Sequence, residues 1–388
     1  MSHKLKIAIY SGVIPSSTFI ERLITGLSIS NQCEIYLFGA EKQMLRYDKN
    51  VKVVGYRNSK FSKFIQLIKY SFLMFFFNRK DKKKLDVILK SKGRNTRLDK
   101  VKFYPVLWHK PDIFHLQWAK GIEDWIWLKE FGVKVVLSLR GTQINHSPIA
   151  DAELAAMYRR EFPKVDGFHA VSKAIANEAA KYGVTPAKTK VVYSGLQLEP
   201  SLEMEKNKNG VFQIISIGRP HWIKGYTYAL DGCKQLKDNG FKFQYTIIGA
   251  AGNIELAYQI EDLGLQNEVI LMEKQPFNTV KENIQSSDLL VLPSLKEGIA
   301  NVVLEAMLLK TFVLTTDCGG MTEVINDNVN GFVVPIRNSE AIAQKILEIS
   351  TLSIEQKDEL VNNAIQTVRN QHNEKQLITG MLNFYKDL

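Results

Sequence analysis

Two carboxylates stand on either side of a short segment that leads from a predicted strand into a predicted helix. They are Glu297 and Glu305, and residues 298–301 lie between the strand and the helix. The backbone of this glycine-containing segment can approach a ligand closely, and free amides at the start of a helix attract phosphate. Glu305 shares a helix face with Asn301, where a carboxylate suits a pair of sugar hydroxyls. The alternative is that both glutamates are solvated side chains favoured by the helix dipole.

A second group of polar residues follows a predicted strand that ends in glycine. Gly218 lets the chain turn sharply, and Arg219 and Lys224 follow it just before a predicted helix. Arg219 can bind two phosphate oxygens at once, whereas Lys224 acts as a point charge. Together they suit a diphosphate leaving group, whose developing negative charge must be stabilised in the transition state. The alternative is a pair of surface cations near a turn.

The elements that must position these groups are short apolar runs that alternate with helical stretches, a pattern typical of parallel α/β sheets. In the first half the predicted strands are 6–10, 33–38, 51–56, 112–116, 133–139, 167–171 and 190–193. In the second half they are 212–217, 243–248, 269–272, 289–292, 311–314 and 331–334. Helices are predicted to start near Lys224, Asn253, Thr279, Asn301 and Ser339, with a final helix at about 373–388.

The pattern therefore predicts two Rossmann-like, doubly wound domains that face each other across a cleft. Their predicted bounds are 1–200 and 208–372, joined by a polar linker at 199–210, and the final helix could pack back on the first domain. Parallel sheets present helix N-termini and loop amides at the carboxyl ends of their strands, so we expect the ligand there.

Composition excludes several classes of protein. With 388 residues, 45% hydrophobic and 23% charged, the chain can fill two cores, which excludes disorder, fibrous repeats and disulfide-rich miniproteins. The chain has three cysteines, Cys33, Cys233 and Cys318. An odd number without short spacings argues against a disulfide framework, which fits a reducing compartment. The first apolar run is too short for a signal peptide, and no run of about 18 apolar residues exists. We expect a cytoplasmic protein without a membrane span.

At this point the sequence resembles the retaining glycosyltransferases of family 4, which have the GT-B fold. The motifs that carry the resemblance in the second half are GRPHWIKG, TIIGAAGN, SSDLLVLPS, EGIANVVLEAM and CGGMTEVINDNVNGFVVP, and they cover nearly all of 212–336. The first half resembles the family more loosely, through IAIYSGVIPSSTFIERLITGL, PDIFHLQWAKG, VVLSLRGTQI and VVYSGL. The IPSSTFIERLI stretch is similar to members that build exported or capsular polysaccharides.

The resemblance implies a role for each matching residue. Arg219 and Lys224 would hold the donor diphosphate, Glu297 would contact the transferred sugar, and Glu305 would bind the ribose. The remaining donor-binding positions are glycines and the backbone amides of one loop, namely Gly12, Gly218, Gly298, Ile299, Ala300 and Asn301. The implied reaction moves a sugar, with retention of configuration, from a UDP- or GDP-linked donor to a glycan or lipid-linked acceptor.

His115 is a further catalytic candidate, at the end of the strand 112–116. The family often has two histidines here that flank one residue, and the second position of this chain is Gln117. His115 could reach the rim of the cleft, because positions two apart along a strand point the same way. The alternative is a structural histidine inside the first domain. Arg140 and His146 are rival candidates for the acceptor side.

We expect neither a metal nor a cofactor. The chain has no pair of aspartates two residues apart and no His/Glu/His helix spacing. Since Arg219 and Lys224 can neutralise a leaving diphosphate, metal-independent transfer is predicted.

The charge of the chain is concentrated in one region. Residues 51–110 contain 17 basic and 3 acidic side chains, within a total net charge of +11. The apolar run 61–77 precedes a cationic cluster, which we define as Arg79, Lys80, Lys82, Lys83 and Lys84. This combination predicts a helix at an anionic membrane surface, hence a peripheral location at its inner face. The alternative is a helix packed on its own sheet.

Two further functional classes fit the sequence less well. Nucleic-acid binding is disfavoured, because the aromatic residues are not interleaved with basic ones. A GT-B protein without transferase activity is the other alternative, against which the complete set of Arg219, Lys224, Glu297 and Glu305 argues.

Overall fold

The computed structural model describes residues 4–43, 45–197 and 210–388, which form two compact units. The first unit consists of Met1–Val171, Ile175–Val192 and Glu374–Leu388, and the second of Ser172–Ala174 and Tyr193–Asn373. The final segment of the chain therefore belongs to the first unit. The predicted linker at 199–210 lies, except for Gly210, outside the described residues.

The first unit is built on a parallel sheet whose described strands number seven and follow the order β3-β2-β1-β4-β5-β6-β7. The strands are β1 (Leu5–Ile14), β2 (Cys33–Glu41), β3 (Val51–Arg57), β4 (Ile113–Leu116), β5 (Lys134–Leu139), β6 (Gly167–Ala170) and β7 (Thr189–Val191). All seven predicted strands are confirmed, although β1 continues four residues beyond its predicted end. The chain leaves β1 on one side and returns at β4 on the other, so the topological switch point lies between these strands.

Helices cover both faces of this sheet. In chain order they are α1 (Thr18–Ser30), α2 (Lys60–Phe77), α3 (Arg79–Ser91), α4 (Arg97–His109), α5 (Ile122–Trp125), α6 (Gly141–Asn145), α7 (Ser147–Ala150), α8 (Ala152–Glu161) and α9 (Lys173–Ala180). Alternate strand residues supply separate cores: Ile7 and Ile9 face the core that contains α1, and Ala8 faces the core that contains α4. The fold thus buries both faces of the sheet, as its continuous apolar strands require.

The second unit repeats this architecture with six described strands in the order β10-β9-β8-β11-β12-β13. They are β8 (Phe212–Ile217), β9 (Phe243–Ile248), β10 (Val269–Met272), β11 (Leu289–Leu292), β12 (Phe312–Thr316) and β13 (Phe332–Val334). The first four match the prediction residue for residue, and the last two differ by one or two residues. The switch point of this sheet lies between β8 and β11.

The remaining helices are α10 (Tyr226–Asp238), α11 (Ile254–Asp262), α12 (Phe277–Ser286), α13 (Asn301–Leu308), α14 (Ser339–Ser350), α15 (Ile354–Gln371) and α16 (Glu374–Lys386). The predicted helix starts are correct to within two residues. α15 was not predicted, because it buries only Leu360, Ala364 and Val368 among mostly polar residues. Its start carries a capping box between Ser353 and Gln356, which is a signal that the sequence does contain.

The final helix, α16, completes the core of the first unit. It buries six of its residues, including Met381, Phe384 and Tyr385, and it packs against α1. Gly26 of α1 makes this contact possible, because a Cβ there would lie 2.4 Å from a carbon of Ile378. Among the described residues, no helix is both long enough and apolar enough to cross a membrane.

Candidate active site

The predicted donor site of the second unit lies at the carboxyl edge of its sheet, at the switch point. The segments that follow β8 and β11 run side by side there, and the Leu295 N–H donates to the Ile223 carbonyl over 2.7 Å. Gly225 has a φ of +66°, and a Cβ at this position would lie 2.0 Å from the Pro293 oxygen. Only glycine allows this approach, so Gly225 fixes the distance between the two segments.

This approach brings Lys224 and Glu297 together across 73 residues of sequence. The Lys224 Nζ lies 2.6 Å from the Glu297 Oε1, and the Ser294 Oγ donates to the same oxygen over 2.9 Å. The two charged side chains are 23% and 15% exposed, so water screens the ion pair only partly. The carboxylate is therefore held in one orientation by two donors. Ser294 is the last residue of the motif SSDLLVLPS, but the sequence alone predicts no role for it.

A pair of glycines supports the backbone of Glu297 from the other side. Gly319 has a φ of +56°, and a Cβ there would lie 2.0 Å from the Glu297 carbonyl oxygen. A Cβ on Gly320 would lie 2.1 Å from the Gly298 oxygen. The CGGM part of the last motif thus has a structural explanation that the sequence alone did not provide: side chains there would displace the loop that carries Glu297.

The start of α13 follows this loop directly. Its N-cap is Ala300, whose side chain cannot cap the helix, and the Oδ1 of Asn301 is buried without a hydrogen-bond partner. Glu305 lies one turn further along α13 and is partly buried. A helix start without a capping side chain leaves backbone amides for another acceptor. The prediction that residues 298–301 face a ligand is compatible with this geometry.

The other predicted donor-binding residues take no part in this ion pair. Arg219 is exposed and, within the described ranges, forms no ion pair. It follows Gly218 at the end of β8. Gly12 belongs to the first unit, where it lies in β1 opposite Gly39 with a φ of +87°. Its contact with donor phosphates stays a prediction.

His115 lies away from solvent in the first unit. Its side chain is fully buried in the first unit, with Nδ1 2.7 Å from the Tyr385 hydroxyl and Nε2 2.9 Å from the Ser138 hydroxyl. Burial, with a contribution from His169, lowers its pKa well below the ordinary value. With both ring nitrogens bonded inside the core, the geometry favours the alternative of a structural histidine over the predicted catalytic role. The partner Tyr385 comes from α16, 270 residues away.

The protonation of this buried network follows from one carbonyl group. The Nε2 of His169 lies 3.0 Å from the Val192 oxygen, which only accepts, so Nε2 carries the proton. The Nδ1 of His169 then accepts from the Ser138 hydroxyl over 2.9 Å. Ser138 has no second proton, so it accepts from the Nε2 of His115. Both histidines are neutral, since burial lowers the pKa of His169 to about 3.

The cationic cluster is partly neutralised within the first unit. Lys82 forms an ion pair with Asp86 at 2.7 Å, and the Nζ of Lys84 lies 3.6 Å from a carboxylate oxygen of Glu130. Arg79 lies over the Phe75 ring, 5.1 Å from its centroid. Lys80 and Lys83 are exposed. The expectation that all five residues contact an anionic surface is therefore too broad. Separately, no cluster of three or more His, Cys, Asp or Glu residues is placed to hold a metal in the described part of the chain.

Comparison with known proteins identifies the family. Residues 201–367 match the family model "Glycosyl transferases group 1", and residues 75–200 match "Glycosyltransferase Family 4". The two matches are contiguous and together span three quarters of the chain. The chain belongs to glycosyltransferase family 4.

Relatives of this family 4 chain include enzymes named for polysaccharide synthesis. It is 29% identical over 232 residues to the amylovoran biosynthesis glycosyltransferase AmsK of Erwinia amylovora, covering 58% of this chain and 56% of AmsK. It is 27% identical over 259 residues to the putative colanic acid biosynthesis glycosyltransferase WcaL of Escherichia coli strain K12, covering 64% of each. The chain thus spans between half and two thirds of the length of these curated relatives.

Solved structures show the fold. HepE of Anabaena, in complex with UDP and glucose, superposes with a TM-score of 0.71 at 16% identity, covering 99% of this chain and all of HepE. The predicted GT-B fold, with two parallel-sheet Rossmann-like domains, is confirmed.

The buried histidines predict a pH dependence of stability. Because the folded pKa of His169 lies below its unfolded value of about 6.5, the unfolded state binds a proton first as pH falls. The free energy of unfolding should fall as the pH drops below about 6.5. In His169→Gln the slope of this fall should be smaller by up to about 1.4 kcal/mol per pH unit. Urea unfolding followed by tryptophan fluorescence measures this, since four of the five tryptophans lie in the first unit. Parallel pH curves for the variant and the parent protein would contradict the assignment.

Proposed function

We propose that the protein transfers a sugar from a nucleotide-sugar donor to a glycan or lipid-linked acceptor during synthesis of a cell-surface polysaccharide. The observation that carries this proposal is the Lys224–Glu297 ion pair, placed at a sheet switch point beside the uncapped start of α13. A cation, a carboxylate and free helix amides within one edge suit the diphosphate and the hydroxyls of a nucleotide sugar. Family membership supports the same reaction class.

In the proposed mechanism the donor diphosphate is bound by cations. Arg219 is exposed and available for bidentate contact, and Lys224 adds a charge while it also orients Glu297. As the bond to the sugar breaks, negative charge develops on the diphosphate and positive charge on the sugar. Arg219 and Lys224 stabilise the first, and the Glu297 carboxylate stabilises the second. Glu305 binds the ribose hydroxyls.

Retention of configuration is part of the proposal and follows from the family resemblance. In that mechanism the leaving phosphate itself helps to deprotonate the acceptor hydroxyl on the same face of the sugar. The described part of the second unit offers Glu297 as a carboxylate near the donor, but Glu297 is already bonded to Lys224 and Ser294. These donors lower its nucleophilicity, which favours electrostatic stabilisation over a covalent intermediate.

The names of similar proteins support a more specific proposal for the product and for the donor nucleotide. AmsK and WcaL are named for amylovoran and colanic acid, which supports an exported polysaccharide as the product. HepE was solved with UDP and glucose, which supports UDP over GDP as the nucleotide. We therefore propose a UDP-linked hexose as the donor.

Substitution of the two charged donor-site residues tests the proposed function. Glu297→Gln and Arg219→Ala should each lower donor hydrolysis and transfer by about a hundredfold, because each removes a preorganised charge from the transition state. UDP should bind to the parent protein more tightly than GDP, and Arg219→Ala should weaken UDP binding. Calorimetric titration and nucleotide-release assays measure these effects.

Glu261→Gln, on the exposed surface of α11, is the matched control and should leave turnover unchanged. Unchanged turnover in both site variants would reject the assigned site. Nucleotide binding without hydrolysis or transfer to any glycan would favour the alternative, a GT-B protein without transferase activity.

The transfer is proposed to need no metal, since two cations of the protein are placed to neutralise the diphosphate. EDTA should leave the rate unchanged, because Arg219 and Lys224 supply the charge that a metal provides in other transferases. The measurement is the transfer rate before and after chelation. Loss of activity that manganese or magnesium restores would reject metal independence.

A membrane-facing surface is proposed on α2. Eight large apolar side chains of this helix are between 46% and 73% exposed: Phe61, Phe64, Ile65, Ile68, Phe72, Phe75, Phe76 and Phe77. Steps of three and four residues place most of them on one stripe. We call this stripe the α2 apolar face. The opposite side of α2 is packed, with Tyr70 and Met74 buried and the Tyr70 hydroxyl 3.1 Å from His109 Nε2.

Charge supports an anionic lipid surface as the occupant of the α2 apolar face. The helix contains Lys60, Lys63 and Lys69 and no acidic residue, and exposed Lys80 and Lys83 follow it. Exposed apolar patches of this size are rare on monomeric proteins. The apolar side chains can enter the boundary between headgroups and acyl chains, while the lysines on either side contact anionic headgroups. Lipid-linked acceptors reside in the same leaflet.

Removal of two aromatic side chains tests this surface. The double variant Phe72→Ser, Phe76→Ser should weaken binding to vesicles of phosphatidylcholine and phosphatidylglycerol at least about tenfold, since each buried ring contributes on the order of 2 kcal/mol. Flotation at low and high salt measures the binding. The matched control is Ile254→Ser, Tyr258→Ser, which removes two exposed apolar side chains from α11. Failure of the parent protein to float, concentration-dependent dimerisation through α2, or preferential binding of RNA would reject the proposal.

A further inference from the structure

The carboxyl edge of the first sheet carries a half-buried arginine at its switch point. Arg140 follows β5 directly, Gln117 follows β4, and Ser17 precedes α1 in the segment that follows β1. β1, β4 and β5 are neighbours in the sheet, and the switch point lies between β1 and β4. Ligands of doubly wound sheets bind at this position, outside the carboxyl ends of the strands.

Arg140 is a cation with a rigid position and no anionic partner. Its Nη2 donates to the Gln117 Oε1 over 3.0 Å, and its guanidinium lies 4.6 Å from the centroid of the Phe19 ring. No carboxylate among the described residues forms an ion pair with it, and its Nε is buried without a hydrogen-bond partner. Burial lowers its pKa to about 10, so the charge persists at neutral pH. Arginine without a counter-ion in such a place is unfavourable unless a ligand supplies one.

Gln117 and Ser17, which follow the adjacent strands β4 and β1, also hold unused hydrogen-bonding groups. Gln117 is fully buried, and its Nε2 has no partner. Ser17 occupies the N-cap position of α1, yet its side chain does not cap the helix, and its Oγ is buried without a partner. Buried polar groups are nearly always bonded in native proteins, so this concentration of exceptions is unusual.

The orientation of the Gln117 amide is fixed by its neighbour. Its Oε1 accepts from Arg140, and a reversed amide would place two donors against each other. The unused atoms at this edge are therefore the Nε–H of Arg140, the Nε2–H of Gln117 and the hydroxyl of Ser17. All three groups can donate a hydrogen bond, and the two N–H groups cannot accept one. A ligand that accepts several hydrogen bonds and carries negative charge fits them.

We propose that Arg140, Gln117 and Ser17 bind an oxyanion of the acceptor, so that the enzyme selects acceptors that carry a negative charge. The chemistry is shared by two sources, the carboxylate of a uronic acid and the diphosphate of a lipid-linked sugar. This inference rests on the proposed transferase function, because it assigns the acceptor of that reaction. Arg140 sets the charge selectivity, and the fixed Gln117 amide aligns the oxyanion on the guanidinium.

Titration with charged and neutral probes tests the site directly. Methyl glucuronide is compared with methyl glucoside, and farnesyl diphosphate with farnesol, by calorimetry on the whole chain. The parent protein should bind at least one anionic probe and neither neutral one. Arg140→Met should weaken that binding at least about tenfold, the effect expected for a charge-assisted bidentate contact. Diphosphate titrations use an Arg219→Ala background, which weakens binding at the candidate donor site.

Companion variants separate ligand binding from a structural role. Arg140→Lys keeps the charge but loses the bidentate geometry of the guanidinium. Its affinity for the anionic probe should lie between those of the parent protein and Arg140→Met. Arg97→Gln removes an exposed arginine from the same unit and should have no effect. The melting temperature of Arg140→Met should equal or exceed that of the parent protein, because a partly desolvated cation without a counter-ion is removed. A structural arginine would instead lower the melting temperature and leave probe affinity unchanged in the folded fraction.

The outcomes distinguish this inference from the proposed function. If Arg140→Met abolishes selection of the anionic probe while UDP binding and donor hydrolysis persist, the oxyanion site is supported. If UDP binding and hydrolysis are normal and no anionic probe binds better than its neutral partner, the oxyanion site is rejected and the transferase stands. If anionic probes bind through Arg140 but no donor is bound or hydrolysed, the transferase is rejected, and with it the assignment of the oxyanion to an acceptor.

Discussion

The close packing of three backbone segments at the carboxyl edge of the second sheet determines where its polar groups stand. Gly225 lies against the Pro293 carbonyl, and Gly319 and Gly320 lie against the carbonyls of Glu297 and Gly298. Each contact leaves less room than a methyl group needs. The loop that carries Glu297 is thereby clamped from both sides, and the 2.6 Å contact with Lys224 is a consequence of that clamp. A carboxylate positioned in advance contributes more to catalysis than a mobile one, since no reorganisation is needed.

The first unit uses a different device at the corresponding edge. Its polar residues are joined in a buried network from the Val192 carbonyl through His169 and Ser138 to His115 and Tyr385. Low pKa values keep the histidines neutral, so the network holds no counter-charge for Arg140. At one end of this network every polar group is hydrogen-bonded, whereas Gln117 and Arg140 at the other end keep unused donors. The bonded part of the network holds these donors in fixed positions. The two sheets of one fold therefore present opposite arrangements: a paired carboxylate in one, and an unpaired cation in the other.

The sequence predicted the elements of this fold well and the contacts between them poorly. The strand 289–292 is a continuous apolar run of a buried sheet, so its bounds can be predicted from local sequence alone. The family resemblance assigned Lys224 and Glu297 to the same donor, but their direct contact was not predicted. Ser294 and Gly319 were not recognised either, because their role is defined by atoms distant in the chain. The two readings of His115 could not be separated for the same reason: Tyr385, which occupies its Nδ1, lies on the last helix. α15 was missed because three buried residues among eighteen leave almost no hydrophobic period.

Net charge proves to be a poor guide to anion binding in this molecule, because its cations differ in surroundings. Lys82 and Lys84 add to the formal charge of the basic region, yet Asp86 and Glu130 neutralise them. Exposed lysines beside α2 act through a long-range field that salt screens within about 8 Å at physiological ionic strength. Arg140 contributes a single charge, but it is half-buried and its Nε is out of contact with water, so its attraction for an anion is screened less. One half-buried arginine can therefore select a ligand that exposed lysines only concentrate nearby. The α2 apolar face and the Arg140 edge would then act in sequence, the first by bringing the enzyme to a surface and the second by choosing a molecule there.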